Sequence, residues 1–512
     1  MSLFDAHPLP EGFSVPTALQ ATVIQHRMLC DITTPLRLFS ALRQHSPQAA
    51  LLESTDGDSR LARFSIIGIN PLWRVWVKDG LLCWQNETGQ VLEQGRIHDP
   101  LHWLEEQRLA WLHNNAIDPE CLQHLEGFKG GWLGYVGYNT TQYYEGIPQQ
   151  HADPLCVPDV YMGFYDVFIV FDHLKRTLTL NSFRGASETE LLWEYVQTAC
   201  QLAHAMPSLD DVQALVPTEI DDLFSPFQTP LSKEAFCQQV EHCKQLIVQG
   251  EVFQIVLAQR FHTEVGNLDP LTVYRTLMAT NPSPYAYVLQ FPEFSYVGSS
   301  PETFVQCQNN TVVLRALAGT RRRGRSAEED AQLAAELKAD EKELAEHRML
   351  VDLARNDLGR VCELGSIEVG TLAELHYYTH VMHLATEVKG QRRPDRKAID
   401  VLRSVLPRGT VSGAPKIRAQ QHLASLEPER RGIYAGFVGF LDTLGEANTC
   451  IAIRSVLMKN GQAHVQAGAG VVMDSVPELE YNETRNKARS VVEALHQAML
   501  CHHVNQAKAN PS

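Results

Sequence analysis

Apolar residues recur at helical spacing in three long stretches of the chain and gather in short runs elsewhere, and glutamates edge two of the helical stripes. In QAGAGVVMDSVPELEYNETRNK, residues 466–487, a glycine-rich turn and a short apolar run lead into a helix start. Ser475 and Glu478 have the spacing of a capping box, and Pro477 suits a first turn. At about 100° per residue, Glu480, Glu483 and Lys487 line one strip, which borders the apolar stripe of Ala488, Val491, Val492 and Leu495 instead of lying opposite it. The segment ADEKELAEHRMLVDLARND repeats the pattern, with Glu343 and Glu346 sharing a strip with Leu350, Leu353 and Ala354. Helices are predicted over 232–249, 327–357 and 478–499.

Short β-like runs (AALLES, VFIVF, TLTLNSF) and the Gly- and aromatic-rich GFKGGWLGYVGY occupy the first 200 residues. An acidic, proline-bearing text from 208 to 230 reads as a connector. The division is therefore 21–205, a connector at 206–230, and 231–497, with a loose arm over 1–20 and a frayed tail after residue 500. Turn-separated strands in both halves predict antiparallel sheet with helices outside, an α+β arrangement.

Composition narrows the functional classes. The chain has 512 residues, 44% hydrophobic and 20% charged, enough for a sizeable core. A net charge of −16 without a basic block argues against nucleic acid as a partner. No apolar run has the length of a membrane span, and the N-terminus has no signal-peptide pattern. Eleven scattered cysteines form no CxxC pair, which predicts reduced thiols in a cytoplasm.

Carboxylates held against a core need a proton, a cation or a dense set of donors. One ExxE pair is ordinarily a solvated helix face. Two pairs, both edging apolar stripes, read as four carboxylates facing one cavity around a hard divalent cation, Mg²⁺. QAGAG and LAGTRRRG (317–324) supply candidate anion-binding backbone. Arg454 interrupts the strand-like CIAIRSVLM; it either points into the same cavity or pairs across strands.

GSSPE (298–302), AGTR (318–321), the Glu343 helix, VMHL (381–384), GTVSGAPKIRA (409–419), YAGFVGF (434–440) and QAGAGVVMDSVPELEYNETRNKA (466–488) occur in one order over about residues 232–495. Together they resemble the chorismate-utilising enzymes. LLEST (51–55) and NPSPY (281–285) resemble the large subunits of the anthranilate synthase branch. The resemblance implies two large packed antiparallel sheets with helices outside and a central active-site cleft. It implies addition of ammonia to chorismate, loss of a hydroxyl as water, and elimination of pyruvate. Isochorismate and salicylate synthases of the family carry a lysine where Gln254 stands, and aminodeoxychorismate synthases one where Ala318 stands. Both departures favour anthranilate as product, with the aminodeoxychorismate branch as the alternative. A non-catalytic sensor would have lost the acidic residues that this chain keeps.

Carried over residue by residue, the resemblance implies Mg²⁺ ligation by Glu346 and Glu483, with Glu343 and Glu480 acting through water. It implies a general acid in Glu302 and active-site positions in His383 and Thr410, the second histidine of THVMH being matched and not His380. Gly319 and Thr320 line the pocket, and Tyr434, Arg454, Lys487 and the backbone of Gly468, Ala469 and Gly470 take the other carboxylate. The chain has no glutaminase motif, so ammonia is expected from a separate glutamine amidotransferase subunit. A tryptophan-binding regulatory pocket is implied for Glu53, Ser54, Pro284, Tyr285 and Ala286. Ala286 replaces a common methionine and Phe440 a common tyrosine, each costing about 1 kcal/mol of binding.

Overall fold

A computed structural model describes residues 23–31, 33–54, 63–149, 152–202, 219–377 and 381–509. The expected arm over 1–20, most of the connector, His380 and Thr55 lie outside these residues. The short β-like runs pair into two antiparallel sheets, as the turn-separated strands predict. The first has eleven strands, in the order Ile24–Leu29, Thr177–Ser182, Val167–Asp172, Phe64–Ile69, Ala49–Glu53, Tyr285–Gln290, Ser295–Ser300, Ser455–Lys459, Gln462–Val471, Gln254–Glu264 and Gly413–Ala414. The second, of twelve strands, runs from Glu368–Val369 through Val381–Gln391, Thr311–Arg322, Thr303–Gln308, Ala447–Ile451 and Phe437–Asp442 to Gly131–Val136 and its N-terminal neighbours.

Both halves of the chain enter both sheets. Ala49–Glu53 pairs with Tyr285–Gln290 in the first, and Gly131–Val136 with Phe437–Asp442 in the second. The sheets face each other across a core that includes Trp132, Tyr135, Phe164, Tyr287, Phe304 and Phe437. The outer face of the first sheet packs on helices through Phe39, Tyr274, Leu277, Val491 and Leu495. Two faces of apolar burial on one sheet explain why its strands read as near-continuous apolar runs.

The predicted helices are present with three corrections. The stretch over 327–357 is two helices, Ala327–Ala339 and Glu341–Gly359, divided at Asp340. The Asp340 carboxylate accepts the amides of Lys342 and Glu343, both at 3.1 Å, so a capping side chain restarts the helix one turn before Glu343. The last helix, Pro477–Ala509, continues through the tail expected to fray. Ser475 does not cap it in the expected way: its hydroxyl accepts the Val472 amide at 3.0 Å and also bonds the Glu480 carboxylate. Within the connector, Ile220–Phe224 is a short helix whose Leu223 and Phe224 join the outer core.

Candidate active site

QAGAG is not a turn. It is the end of the Gln462–Val471 strand, paired with Gln254–Glu264 so that Gly468 faces Ala258 and Gly470 faces Val256. On its other edge this strand pairs with Ser455–Lys459 only as far as Val465, and the edge is open beyond. The Gly468 carbonyl accepts Lys487 Nζ at 3.1 Å, and its amide bonds the Tyr434 hydroxyl. Strand alternation therefore turns the polar backbone of Gly468 and Gly470 to one side, and the small residues let side chains approach closely. A Cβ at Gly470 would stand 2.8 Å from Gln254 Nε2, and one at Gly468 3.2 Å from Tyr434 Oη. Ala469, expected in the substrate cradle, is fully buried and alternates with them: its polar backbone points into the ladder beside Leu257, so it offers the open edge neither backbone nor methyl.

Arg454 also lies outside the strand expected for it. Ala447–Ile451 belongs to the second sheet and Ser455–Lys459 to the first; residues 452–454 carry the chain across. Arg454 takes φ +51°, uncommon for a residue with a side chain, and its carbonyl accepts the Ser299 amide at 3.1 Å. Its guanidinium sits in the field of Tyr434 and Glu483, and burial lowers its pKa. Burial pushes the Tyr434 hydroxyl up to about 12, keeping it a donor.

Glu302 follows Ser295–Ser300 at the turn into Thr303–Gln308 and is buried. Burial raises its pKa, opposed by Arg408, by the Thr410 hydroxyl at 3.0 Å and by Lys487. His383 stands opposite Thr320 across a bulge at Gly319, whose φ of +66° suits glycine. Its Nδ1 lies 2.9 Å from Thr320 Oγ1 and 3.3 Å from the Gly319 carbonyl. Burial is the first cause that lowers the His383 pKa, with Arg454 acting in the same direction.

The four glutamates stand on two helices around these strands. Glu346 accepts Gln254 Nε2 at 3.0 Å, and Glu343 meets Arg321 at 3.4 Å and the space beside Gly319. Glu483 pairs with Lys487 at 2.7 Å. Glu480 is buried, and its Oε2 has no hydrogen-bond partner. Burial raises the carboxyls of Glu343 and Glu480, and the neighbouring glutamate of each pair adds to it. Among the described residues no three His, Cys, Asp or Glu side chains form a ready-made metal cage. The donor chemistry nonetheless fits a hard cation: carboxylate oxygens, one of them buried and orphaned, in a place where negative charge is costly.

Contacts that the motifs alone could not reveal support this cleft. Arg431 is fully buried and holds Glu427 (Nε to Oε2, 2.8 Å), the carbonyls of Val411 and Val256 (both 2.6 Å), and the faces of Tyr138 and Tyr434. Lys416 pairs with Asp357 at 2.7 Å and clamps the carbonyls of Ser404 and Val405. A basic residue inside GAPKIRA and another in ERRGIY were the available signals.

Of the residues expected to form a regulatory pocket, Glu53, Ser54, Tyr285 and Ala286 line one cavity. Ser54 donates to the Pro284 carbonyl at 3.1 Å, and the Tyr285 hydroxyl, joined to the inter-sheet core, meets Thr303 at 2.9 Å. The Glu53 carboxylate instead takes the Tyr274 hydroxyl, and Ala286 packs in the same outer cluster as Tyr274. A cavity of about 1070 Å³ runs past Ser54, Tyr285, Phe440 and Asn448.

The family model of the chorismate binding enzymes matches residues 31–493, and the chain belongs to that family. It is 40% identical over 490 residues to anthranilate synthase component 1 of Geobacillus stearothermophilus, covering 93% of this chain and 94% of that one. It is 38% identical over 488 residues to the Acinetobacter calcoaceticus protein of the same name, covering 92% and 94%. The crystal structure of anthranilate synthase component I from Streptococcus pneumoniae superposes with a TM-score of 0.69 at 37% identity, over 91% of this chain and 99% of that one. The menaquinone-specific isochorismate synthase of Escherichia coli, 18% identical, shares the fold with a TM-score of 0.68, over 94% of this chain and 96% of that one.

A buried imidazole whose pKa is lowered stays neutral at pH values where an exposed one begins to charge. The ring nitrogens of His383, assigned by comparison with His383→Gln in ¹⁵N NMR, are expected to remain those of neutral imidazole at pH 6.5. Half-protonation at or above that pH would contradict the site's electrostatics.

Proposed function

We propose that this protein is the chorismate-converting component of an anthranilate synthase, forming anthranilate and pyruvate from chorismate and ammonia. The observation that carries the reading is one cleft holding a buried carboxylic acid, Glu302, beside a set of carboxylate-binding donors, Arg454, Tyr434, Gly468 and Lys487. Membership of the chorismate binding family and the names of its similar relatives support it.

Arg454 pairs with a substrate carboxylate through its planar fork, and Tyr434 and the Gly468 edge complete the cradle. Glu302, kept protonated by burial and oriented by Thr410, gives its proton to the departing hydroxyl. His383 donates Nδ1–H to the Gly319 carbonyl, which makes Nε2 the basic nitrogen for proton handling as pyruvate leaves. Gln254, bonded to Glu346, and Ala318 offer neither an amine base nor a nucleophile, which favours the ortho-amino product over the para-amino alternative.

Mg²⁺ is the cofactor proposed for Glu343, Glu346, Glu480 and Glu483, and when bound it supplies positive charge to the substrate's ring carboxylate. Ammonia comes from a separate glutamine amidotransferase subunit, since the cysteines sit in contexts such as PLCVP, EHCKQ and RVCEL and not in a glutaminase motif. Tryptophan is the proposed inhibitor, bound in the cavity at Ser54 and Tyr285. Glu53 and Ser54 both line that cavity, Glu53 bonded to the Tyr274 hydroxyl and Ser54 to the Pro284 carbonyl.

Incubation with chorismate, Mg²⁺ and ammonium salt is expected to produce fluorescent anthranilate. Excess EDTA should stop it, and Glu483→Gln should lower kcat by about 10²-fold or more with the fold retained. A para-amino product, or full activity in EDTA, would overturn the product or the cofactor respectively.

Tryptophan is expected to inhibit by stabilising a state that binds chorismate poorly, weakened about tenfold by Ala286 and Phe440. Ser54→Phe should remove the inhibition and leave turnover in place, as read from initial rates across a tryptophan titration. Wild-type rates unaffected by millimolar tryptophan would defeat the regulatory reading alone.

A further inference from the structure

We propose that Arg408 is a positioning residue for Glu302, fixing its carboxyl within the cleft and keeping a permanent positive charge beside it. The inference rests on the acid role given to Glu302 above. Arg408 opens the 3₁₀ turn Gly409–Val411, two residues before Thr410. Its side chain is 5% exposed, and Nη2 lies 3.9 Å from Glu302 Oε1, the same oxygen that accepts Thr410 Oγ1 at 3.0 Å. Nη2 also donates to the Arg315 carbonyl at 2.6 Å, which pins the guanidinium to the Thr311–Arg322 strand.

A buried guanidinium needs an anionic partner to offset its desolvation. Two carboxylates face Arg408, Glu302 and Asp357. Asp357 is already held by Lys416 at 2.7 Å, and Lys416 is itself anchored to the Ser404 and Val405 carbonyls. Glu302 is therefore the partner left for Arg408. From the side of Glu302, the charged groups that face it are Arg408 on the 406–411 segment and Lys487 on the Pro477–Ala509 helix.

The arrangement has a chemical consequence. Burial alone raises the Glu302 pKa, and an acid held too firmly gives its proton poorly. A fixed cation opposes that, so the group can both release and regain a proton within one turnover. Arg408 does this without touching substrate. A simple loop clip through the Arg315 carbonyl would leave the titration of Glu302 unmoved by the loss of charge, and that difference is measurable.

The test uses the full chain in three forms: wild type, Arg408→Met and Arg408→Lys. The carboxylic acid C=O band of Glu302, identified by its loss in Glu302→Gln, is followed by difference infrared spectroscopy against pH. Turnover is measured over the same range at constant free ammonia. Losing the cation favours the protonated form, so Arg408→Met should move the Glu302 titration up by about one pH unit. The basic limb of the kcat profile should move with it, because the donor form then survives to higher pH. Arg408→Lys, which keeps the charge, should stay near wild type. Arg408→Gln replaces the methionine variant if that one does not fold. A band that titrates identically in the uncharged variant overturns the proposal. A band that moves while the rate profile does not supports the positioning role of Arg408 and refutes the acid role of Glu302.

Discussion

The buried pair of Glu427 and Arg431 is the constraint around which the cleft is assembled. Burying a guanidinium is costly unless it is paired and hydrogen-bonded, and Arg431 makes four hydrogen bonds and meets two tyrosine faces. Glu427 takes two of its nitrogens and also the Ala258 amide, while the carbonyls of Val256 and Val411 accept the other two bonds. The Gln254 strand, the Gly409 turn and Tyr434 are thereby held to one charge, and the Arg431 carbonyl accepts Gln466 Nε2 at the start of QAGAG. The walls of the cleft come from distant stretches of sequence, and a buried charge paired and hydrogen-bonded to several of them is a device that fixes such walls in place.

Within those walls cations and carboxylates are interleaved. Arg454 enters at the crossing between sheets, and Lys487 reaches in from the last helix to both Glu483 and the Gly468 carbonyl. The carboxylates stand among them: Glu302 beside Arg408, Glu343 and Glu346 on the helix restarted by Asp340, Glu480 and Glu483 on the last one. His347, fully buried on the same helix turn as Glu346, bonds Thr386 at 2.6 Å and fixes that helix to the Val381–Gln391 strand. In the proposed reading, a substrate with two carboxylates and a leaving hydroxyl meets Arg454 and Lys487, the buried Glu302 and the buried His383.

Much of this was legible in the sequence because local rules carried it. Short apolar runs separated by turns gave the antiparallel strands, and Glu480, Glu483 and Lys487 kept the helical strip that their spacing predicts, with Lys487 and Glu483 in contact. The misread places are those where tertiary context decides. QAGAG has turn composition, yet pairing with the Gln254 strand makes it a strand in which glycine serves close approach. Arg454 looked like a strand residue because the apolar text continues on both sides of it, whereas the chain changes sheets there. The Asp340 break hid inside a continuous helical pattern, since an aspartate reads equally well as a surface residue or a cap. Glu53 and Ser54 are neighbours in sequence and line one cavity, but their partners, the Tyr274 hydroxyl and the Pro284 carbonyl, lie far along the chain and are visible only in the fold. Arg408, Arg431 and Lys416 carried no periodic signal at all.

The most direct test of the cleft is the substitution Glu302→Gln, which removes the proton donor while keeping the shape and the Thr410 contact. Chorismate binding measured by calorimetry in the presence of Mg²⁺ should stay within a few-fold of wild type, and ammonia-dependent kcat should fall by about 10²–10⁴-fold. Turnover at the wild-type rate, or a loss of activity accounted for by lost chorismate binding, would contradict the account.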